Sequence, residues 1–171
     1  MTLECQGDND GDPVEGAGVV INATNVTIDG AISADRLGFR QTLGPGAGSS
    51  WSDRGGGGAY GGDGGGGNGA TAFGGTEYGS VSEPLSLGSG GGYFRGGQGG
   101  GAIKLVVSDT VAVNGSISAD GRRGKYNQGG GGSGGSIWII TDTFVGSGAI
   151  RADGGRGYGT SASGGGGGGR M

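Results

Sequence analysis

The amino-acid sequence predicts an all-β protein without α-helix, in which three repeats form a parallel β-helix or β-solenoid-like stack with packed polyglycine II segments. Glycine supplies 53 of the 171 residues, whereas an average protein contains about 7% glycine. Val, Ile, Leu and Phe together supply only 29 residues, and most of these gather in three short windows, Val19–Ile32, Ile103–Ile117 and Ile137–Ile150. So few apolar residues argue against a helical or doubly wound domain, and their clustering indicates islands of strand rather than disorder.

The three windows are copies of one repeat. Each copy passes from a strand of β-branched residues through a polar break and a second short strand to a glycine, and then to a third strand that ends in Ala-Asp. The aligned segments are Val19–Asp35, Lys104–Asp120 and Ile137–Asp153, and they align without gaps. One copy cannot bury its apolar face alone, so we expect the copies to stack with parallel strands about 4.8 Å apart. A β-sandwich of the same strands is the main rival.

The repeats define the domain organisation. Residues 1–17 are predicted to be an acidic linker or N-terminal extension, and residues 18–171 a single glycine-rich repeat domain. The repeats lie near residues 19–40, 102–124 and 136–157, and a long glycine-rich insertion occupies residues 41–101. Three repeats are barely enough for an independent stack. We therefore expect a fragment of a larger protein, whose other modules would be the neighbours of this one.

The glycine runs allow two interpretations. Gly/Ser-rich chain ordinarily behaves as a flexible linker. These runs, however, leave each repeat after its Ala-Asp turn, return directly into the next strand, and are interleaved with large side chains. Glycine can also form polyglycine II, an extended threefold helix whose lack of Cβ atoms lets neighbouring backbones approach and hydrogen-bond. We therefore expect a packed polyglycine layer capped by aromatic side chains, namely Trp51, Tyr60, Phe73, Tyr78, Tyr93, Phe94, Tyr126 and Tyr158.

Charge and residue usage argue against several functional classes. Eleven basic and fifteen acidic residues leave a net charge of −4, which disfavours binding to nucleic acid through its phosphates. The chain has no histidine, so it lacks the usual general base and the commonest zinc ligand. The single cysteine, Cys5, cannot form an internal disulfide. No segment approaches the ~20 apolar residues of a membrane span, and we expect no membrane insertion.

A run of acidic residues near the N-terminus is a candidate calcium site. Asp8, Asp10 and Asp12 have the alternating carboxylates of a calcium-binding loop. Pro13 stands where such a loop needs glycine, and Val19 stands where it needs the closing glutamate. The alternative interpretation is a solvated acidic linker.

A second candidate calcium site comes from the repeat itself. Asp35, Asp120 and Asp153 occupy one position of the three copies and should stack as a ladder. Carboxylates this close repel each other, so a cation should neutralise them. Calcium is one candidate. Nearby arginines are the alternative, and the sequence offers Arg36, Arg122, Arg123, Arg151 and Arg156.

The order of the glycine-rich motifs carries a resemblance to a known kind of protein. The succession includes Gly55–Gly62 (GGGGAYGG), Gly99–Lys104 (GGGAIK), Gly115–Gly121 (GSISADG) and Gly131–Trp138 (GGSGGSIW). It resembles a glycine-rich β-strand repeat module of very large secreted, adhesin-like bacterial surface proteins, and this resemblance implies an extracellular, cell-surface location. In composition and physics it is more distantly similar to polyglycine II helix bundles of phage tail-fibre adhesins and of receptor glycine-rich domains.

These features predict a non-catalytic structural or adhesive module of an extracellular surface protein, which serves as a stalk, a spacer or a binding face. Its partner would be a carbohydrate or another cell-surface ligand. No cofactor is expected apart from calcium at the two candidate sites. One alternative is a lattice-binding module for ice or polysaccharide, although the threonines form no regular two-column array. A remote alternative is a fragment of a β-helix polysaccharide-processing enzyme, although no acidic pair stands out as an acid–base couple.

Overall fold

The computed structural model describes residues 2–4, 18–67, 71–126, 128–159 and 163–171. Within these ranges the chain contains no helix, and its regular structure is β-strand, as the sequence predicts. The strands are β1 (Thr2–Glu4), β2 (Val19–Ile28), β3 (Ala31–Ser33), β4 (Ser50–Trp51), β5 (Arg54–Gly55), β6 (Ala102–Val113), β7 (Ser116–Ser118), β8 (Ser136–Ile140), β9 (Thr143–Val145) and β10 (Ala149–Arg151).

The strands of the three repeats form two sheets in which all pairings are parallel. One sheet has the order β1-β3-β7-β10, and the other has the order β2-β6-β8, with β9 also paired to β6. Each repeat therefore contributes one layer to both sheets. A separate antiparallel pair, β4 with β5, lies in the insertion; the sequence pattern did not predict it.

The strand register corrects the repeat alignment at one point. After the polar break, the pairs follow the aligned positions, as Ile32 with Ile117 does. Before the break, Val20 pairs with Lys104, one residue away from its aligned partner. At the polar break, β6 contains one residue more than the neighbouring repeats do. The exposed Ser108–Asp109 segment accommodates this extra residue as a bulge. The gap-free alignment is therefore wrong for the first strand of the repeat.

Strand β6 and its continuation β7 lie in the middle of the stack and supply its best-buried side chains. Leu105, Val111 and Ile117 are completely inaccessible to solvent. Burying one such side chain contributes roughly 1.5–3 kcal/mol to folding. The buried core comprises Ile28, Ile32, Ala34, Ile103, Leu105, Val107, Val111, Val113, Ile117, Ala119, Ile137 and Ala152.

The glycine segments hydrogen-bond to one another through their backbones, and we call them together the glycine layer. Every backbone N–H from Gly130 to Ile137 donates to a carbonyl of another segment, with N···O distances of 2.8–3.2 Å. The acceptors change in a cycle of three residues. Gly130 and Ser133 donate to Gly92 and Ser89; Gly131, Gly134 and Ile137 donate to Gly164, Gly167 and Arg170; and Gly132 and Gly135 donate to Arg122 and Ala119. Ser136, the first residue of β8, departs from the cycle and donates to Gly101.

The buried segment Gly129–Ser136 is the centre of the glycine layer. Its carbonyls accept from further segments. Hydrogen bonds thus join it to six segments, through Gly58, residues 89–92, 97–101, 119–122, 155–158 and 164–170. The outer segment 164–169 shows the same cycle of three in its burial. Gly164 and Gly167 are buried, whereas Gly165 and Gly168 are exposed.

Close backbone approach explains why these positions are glycine. A Cβ atom added to Gly132 or Gly166 would lie less than 3.0 Å from the backbone of a neighbouring segment. Real Cβ atoms essentially never approach backbone that closely, so the neighbour would have to shift. A Cβ on Gly168, two residues further along, would have nothing within 4 Å.

We predict that Gly166→Ala lowers the free energy of unfolding by roughly 1–3 kcal/mol, because the added methyl group overpacks the layer. Gly132→Ala should behave in the same way. Gly168→Ala is the matched control and should be neutral or slightly stabilising, because it only restricts the unfolded chain. Urea unfolding of the variants measures the difference. Equal stabilities of Gly166→Ala and Gly168→Ala would contradict close packing.

Candidate functional site

The three aspartates of the repeat lie one above another beyond the ends of β3, β7 and β10, and we call them the aspartate ladder (Asp35, Asp120 and Asp153). The backbone N–H of Asp120 donates to Oδ1 of Asp35, and that of Asp153 donates to Oδ1 of Asp120, both at 2.8 Å. Each of these two carboxylates therefore binds the backbone of the next repeat. Such charge-assisted hydrogen bonds offset part of the repulsion between the stacked carboxylates.

Asp120, the middle member of the ladder, has a raised pKa. Burial is the largest cause of the raised pKa, and the negative charge of Asp35 raises the pKa further. The hydrogen bond from the Asp153 N–H and the positive charge of Arg151 lower it. Arg151 Nη2 lies 3.2 Å from Asp120 Oδ2. Across the described ranges, the other arginines expected near the ladder form no ion pair with it, namely Arg36, Arg122, Arg123 and Arg156. Neutralisation by ion pairing is thus limited to Arg151.

The predicted calcium sites differ in what the structure shows of them. Asp8, Asp10 and Asp12 lie outside the described residues, and so does Cys5. Among the residues that are described, no group of three or more His, Cys, Asp and Glu side chains is placed to hold a metal ion. Calcium binding along the aspartate ladder therefore stays a prediction without a supporting geometry.

The eight aromatic side chains expected as caps of the glycine layer differ widely in burial. Tyr60 alone among the eight expected caps is completely buried. Trp51, Phe73, Phe94 and Tyr126 are between 59% and 66% exposed. Tyr78, Tyr93 and Tyr158 are partly buried. Half of the expected caps are therefore exposed rather than packed into the layer.

Tyr60 links the insertion to the third repeat, and Tyr78 forms a hydrogen bond within the insertion. The Tyr60 hydroxyl lies 2.7 Å from Ser136 Oγ, which in turn donates to the carbonyl of Ser86 at 2.6 Å. The Tyr78 hydroxyl donates to the carbonyl of Leu87. Burial raises the pKa of Tyr78 far above that of free tyrosine, so its hydroxyl stays protonated and can keep donating.

The exposed aromatic residues mark the turns at which glycine segments reverse direction. The segment that follows β7 reverses near Tyr126, and the segment that precedes β6 reverses near Tyr93; both residues have positive φ, 40° and 72° respectively. The Lys125 N–H donates to the Arg95 carbonyl at 2.8 Å, which ties the two turns together. Because the chain runs outward from β7 to this turn and returns to β8, the turns lie at the end of the glycine layer away from the sheets.

These two turns enclose a cleft of about 350 Å³, which we call the basic cleft. The guanidinium of Arg95 lies over two rings, with its Cζ 4.7 Å from the ring centre of Phe94 and 5.2 Å from that of Tyr126. Such cation–π contacts orient the guanidinium. The side chains that line the cleft are Gln41, Phe94, Arg95, Gln98, Arg122, Lys125 and Tyr126.

The basic cleft concentrates positive charge in a chain whose net charge is −4. Three cations line it, and the described lining residues include no carboxylate. Sequence reasoning missed this site because its residues come from distant segments that only the folded layer brings together. The available signal was the recurrence of a basic residue beside an aromatic one at the tips of the glycine runs, as in Phe94-Arg95 and Lys125-Tyr126.

Comparison with protein-family models, with curated proteins and with solved structures found no match. The described ranges contain no helix long and apolar enough to cross a membrane. The aspartate ladder and the basic cleft are therefore characterised by their own geometry.

We predict different effects on the free energy of unfolding for two substitutions of Asp120. Asp120→Ala removes the acceptor of the Asp153 N–H and should lower the free energy of unfolding by about 1 kcal/mol. Asp120→Asn keeps a side-chain oxygen in that place and removes a charge, so it should be neutral or stabilising at pH 7.

Comparison of the parent with Asp120→Asn should also reveal a pH dependence of stability. Because the folded pKa of Asp120 is raised, the native state binds this proton more tightly than the unfolded chain does. The resulting stability is fully present below the ordinary aspartate pKa of about 3.9 and is lost as the pH rises through the folded pKa. The stability of the parent should therefore fall relative to Asp120→Asn between pH 3 and pH 7 in chemical unfolding curves. A constant difference over this range would refute the assignment.

Proposed function

We propose that residues 18–171 form a non-catalytic structural and adhesive module of an extracellular surface protein. In this proposal the parallel repeats form a β-solenoid-like body, and the glycine layer is a bundle of polyglycine II helices. The bundle holds the basic cleft rigidly at the end away from the sheets. The extracellular location follows from the resemblance of the glycine-rich motifs to secreted, adhesin-like proteins.

One observation carries this proposal, namely the cycle of three in the hydrogen bonds of Gly130–Ile137. A polyglycine II helix has three residues per turn and no internal hydrogen bonds. Its successive N–H groups therefore point in three directions, and every third one faces the same neighbour. The N–H groups from Gly130 to Gly135 follow that rule, whereas Ser136, where the segment enters β8, donates to Gly101. Hydrogen bonds join the segment to six others, and we infer from this the hexagonal packing of threefold helices.

The in-register sheets support the solenoid part of the proposal. Ile32, Ile117 and Ile150 pair in sequence across three layers, so equivalent side chains stack on one another. Repetition of this kind builds a continuous core from units that are too small to fold alone.

The rigidity of such a layer suits adhesion better than catalysis. Ordering glycine costs more backbone entropy than ordering any other residue, and here the dense hydrogen bonding between segments offsets that cost. The turns that bear aromatic and basic side chains are then held in place before a ligand arrives. Such preorganisation lowers the entropic cost of binding.

Strand register favours the adhesive role over the ice-binding alternative. Thr110 pairs with Thr143, but Thr27 pairs with Ala112. Over the described strands the threonines thus form no repeating pair of columns that could match a lattice.

Retention of coated microspheres under flow tests the proposal. The chain would be coupled through Cys5, its single cysteine, and passed over surfaces of dextran, cellulose, chitin, alginate and dextran sulfate. We expect retention on at least one surface, beyond that of uncoated microspheres, and no release of reducing sugar ends from soluble forms of the same polysaccharides. Absence of retention on every surface would contradict the adhesive role, and release of reducing ends would contradict the non-catalytic one.

A further inference from the structure

In the described part of the chain, no carboxylate neutralises the cations of the basic cleft. Arg95, Arg122 and Lys125 all line it. Over the described residues, none of the three forms an ion pair with a carboxylate. Placing like charges together costs free energy unless an anion offsets it, so the cleft is complementary to a ligand that brings negative charge.

The cleft combines this charge with apolar surface. Phe94 is 61% exposed and Tyr126 is 66% exposed, although large aromatic rings generally favour burial. The Arg95 guanidinium lies over both rings, which leaves the edges of the guanidinium to donate hydrogen bonds. A complementary ligand would therefore present anionic groups to the cations and apolar C–H surface to the rings.

The lining of the cleft is held by the glycine layer. The Arg122 N–H donates to the Gln98 carbonyl at 2.7 Å, and the Arg122 carbonyl accepts from Gly132 at 2.9 Å. The Gly97 N–H donates to the Gly130 carbonyl at 2.8 Å. Arg122 therefore projects from backbone that is hydrogen-bonded through both its N–H and its carbonyl, and such a fixed backbone favours recognition of a ligand whose charges are held in place.

We propose that the basic cleft binds an acidic polysaccharide, that is, a sugar chain carrying carboxylate or sulfate groups. Arg95, Arg122 and Lys125 donate to these anionic groups, and Phe94 and Tyr126 contact the C–H faces of the sugar rings. This inference rests on the proposed adhesive function and names its ligand class. The cleft volume of about 350 Å³ lies at the lower end for ligand sites, which suits a short stretch of a chain.

The shape and charge of the protein favour a sugar over a nucleic acid. A nucleic acid carries a charge at every nucleotide, and its affinity depends on neutralising many phosphates at once. Here three cations line one cleft, whereas the molecule as a whole carries a charge of −4. Repulsion outside the cleft limits any polyanion to a short bound stretch, for which an acidic sugar adds C–H contacts with Phe94 and Tyr126 to its few charge contacts.

Binding of fluorescent oligosaccharides tests the inference. The probes are oligogalacturonate and a dextran sulfate oligomer, with neutral dextran and an oligothymidylate as comparisons. We expect the two acidic sugars to bind, neutral dextran not to bind, and the affinity to fall with added salt because exposed charges are screened. Arg122→Gln should weaken binding of the acidic sugars about tenfold or more, in keeping with the loss of a charge-assisted hydrogen bond.

Lys104→Gln provides the matched control. It removes the same charge from the sheet, where Lys104 Nζ lies 3.9 Å from the ring centre of Trp138, and it should leave sugar binding unchanged. Equal losses in Arg122→Gln and Lys104→Gln, or tighter binding of the oligothymidylate than of either acidic sugar, would overturn the inference. Microspheres retained on neutral surfaces alone would overturn it as well but leave the adhesive function standing.

Discussion

Hydrogen bonds between the backbones of glycine segments are the constraint on which the rest of this structure depends. A buried N–H or C=O without a partner costs free energy, and in the buried stretch Gly129–Ser136 only Ser133 and Ser136 carry side chains that can hydrogen-bond. From Gly130 onward its N–H groups donate to carbonyls of the insertion, the second repeat and the C-terminal segment. The absence of Cβ atoms ordinarily makes a chain flexible, but here it lets the backbones approach closely enough to hydrogen-bond.

The repeats give the glycine layer its alignment. Parallel pairing of β7 with β10 continues past the strands, because the N–H groups of Ala119, Gly121 and Gly124 donate to the carbonyls of Arg151, Asp153 and Arg156. The aspartate ladder sits at this junction and joins the same repeats through its carboxylates. Sheet register thereby sets the register of the glycine segments, and the turns at their far ends come together as a consequence.

Periodicity made the strands predictable, whereas the basic cleft depends on contacts between distant segments that no local pattern encodes. Alternation around Val111 and Ile117 indicated the buried faces of the strands. An aspartate at the position of Asp120 in every repeat indicated the aspartate ladder. The one-residue bulge at Ser108–Asp109 escaped prediction because a polar break looks alike with or without an extra residue. The burial of the aromatic rings escaped prediction for a different reason: composition indicated large side chains among the glycines, but only the folded structure distinguishes the buried Tyr60 from exposed rings such as Phe94.

Amide hydrogen exchange of Gly129–Ser136 tests the central claim most directly, because it reports on backbone hydrogen bonds without any substitution. If these N–H groups are held by neighbouring segments, they should open only with the global unfolding of the domain. Their protection should then match that of buried β6 residues such as Leu105. Exchange of the glycine amides at the rate of unstructured chain, while β6 stays protected, would contradict the account.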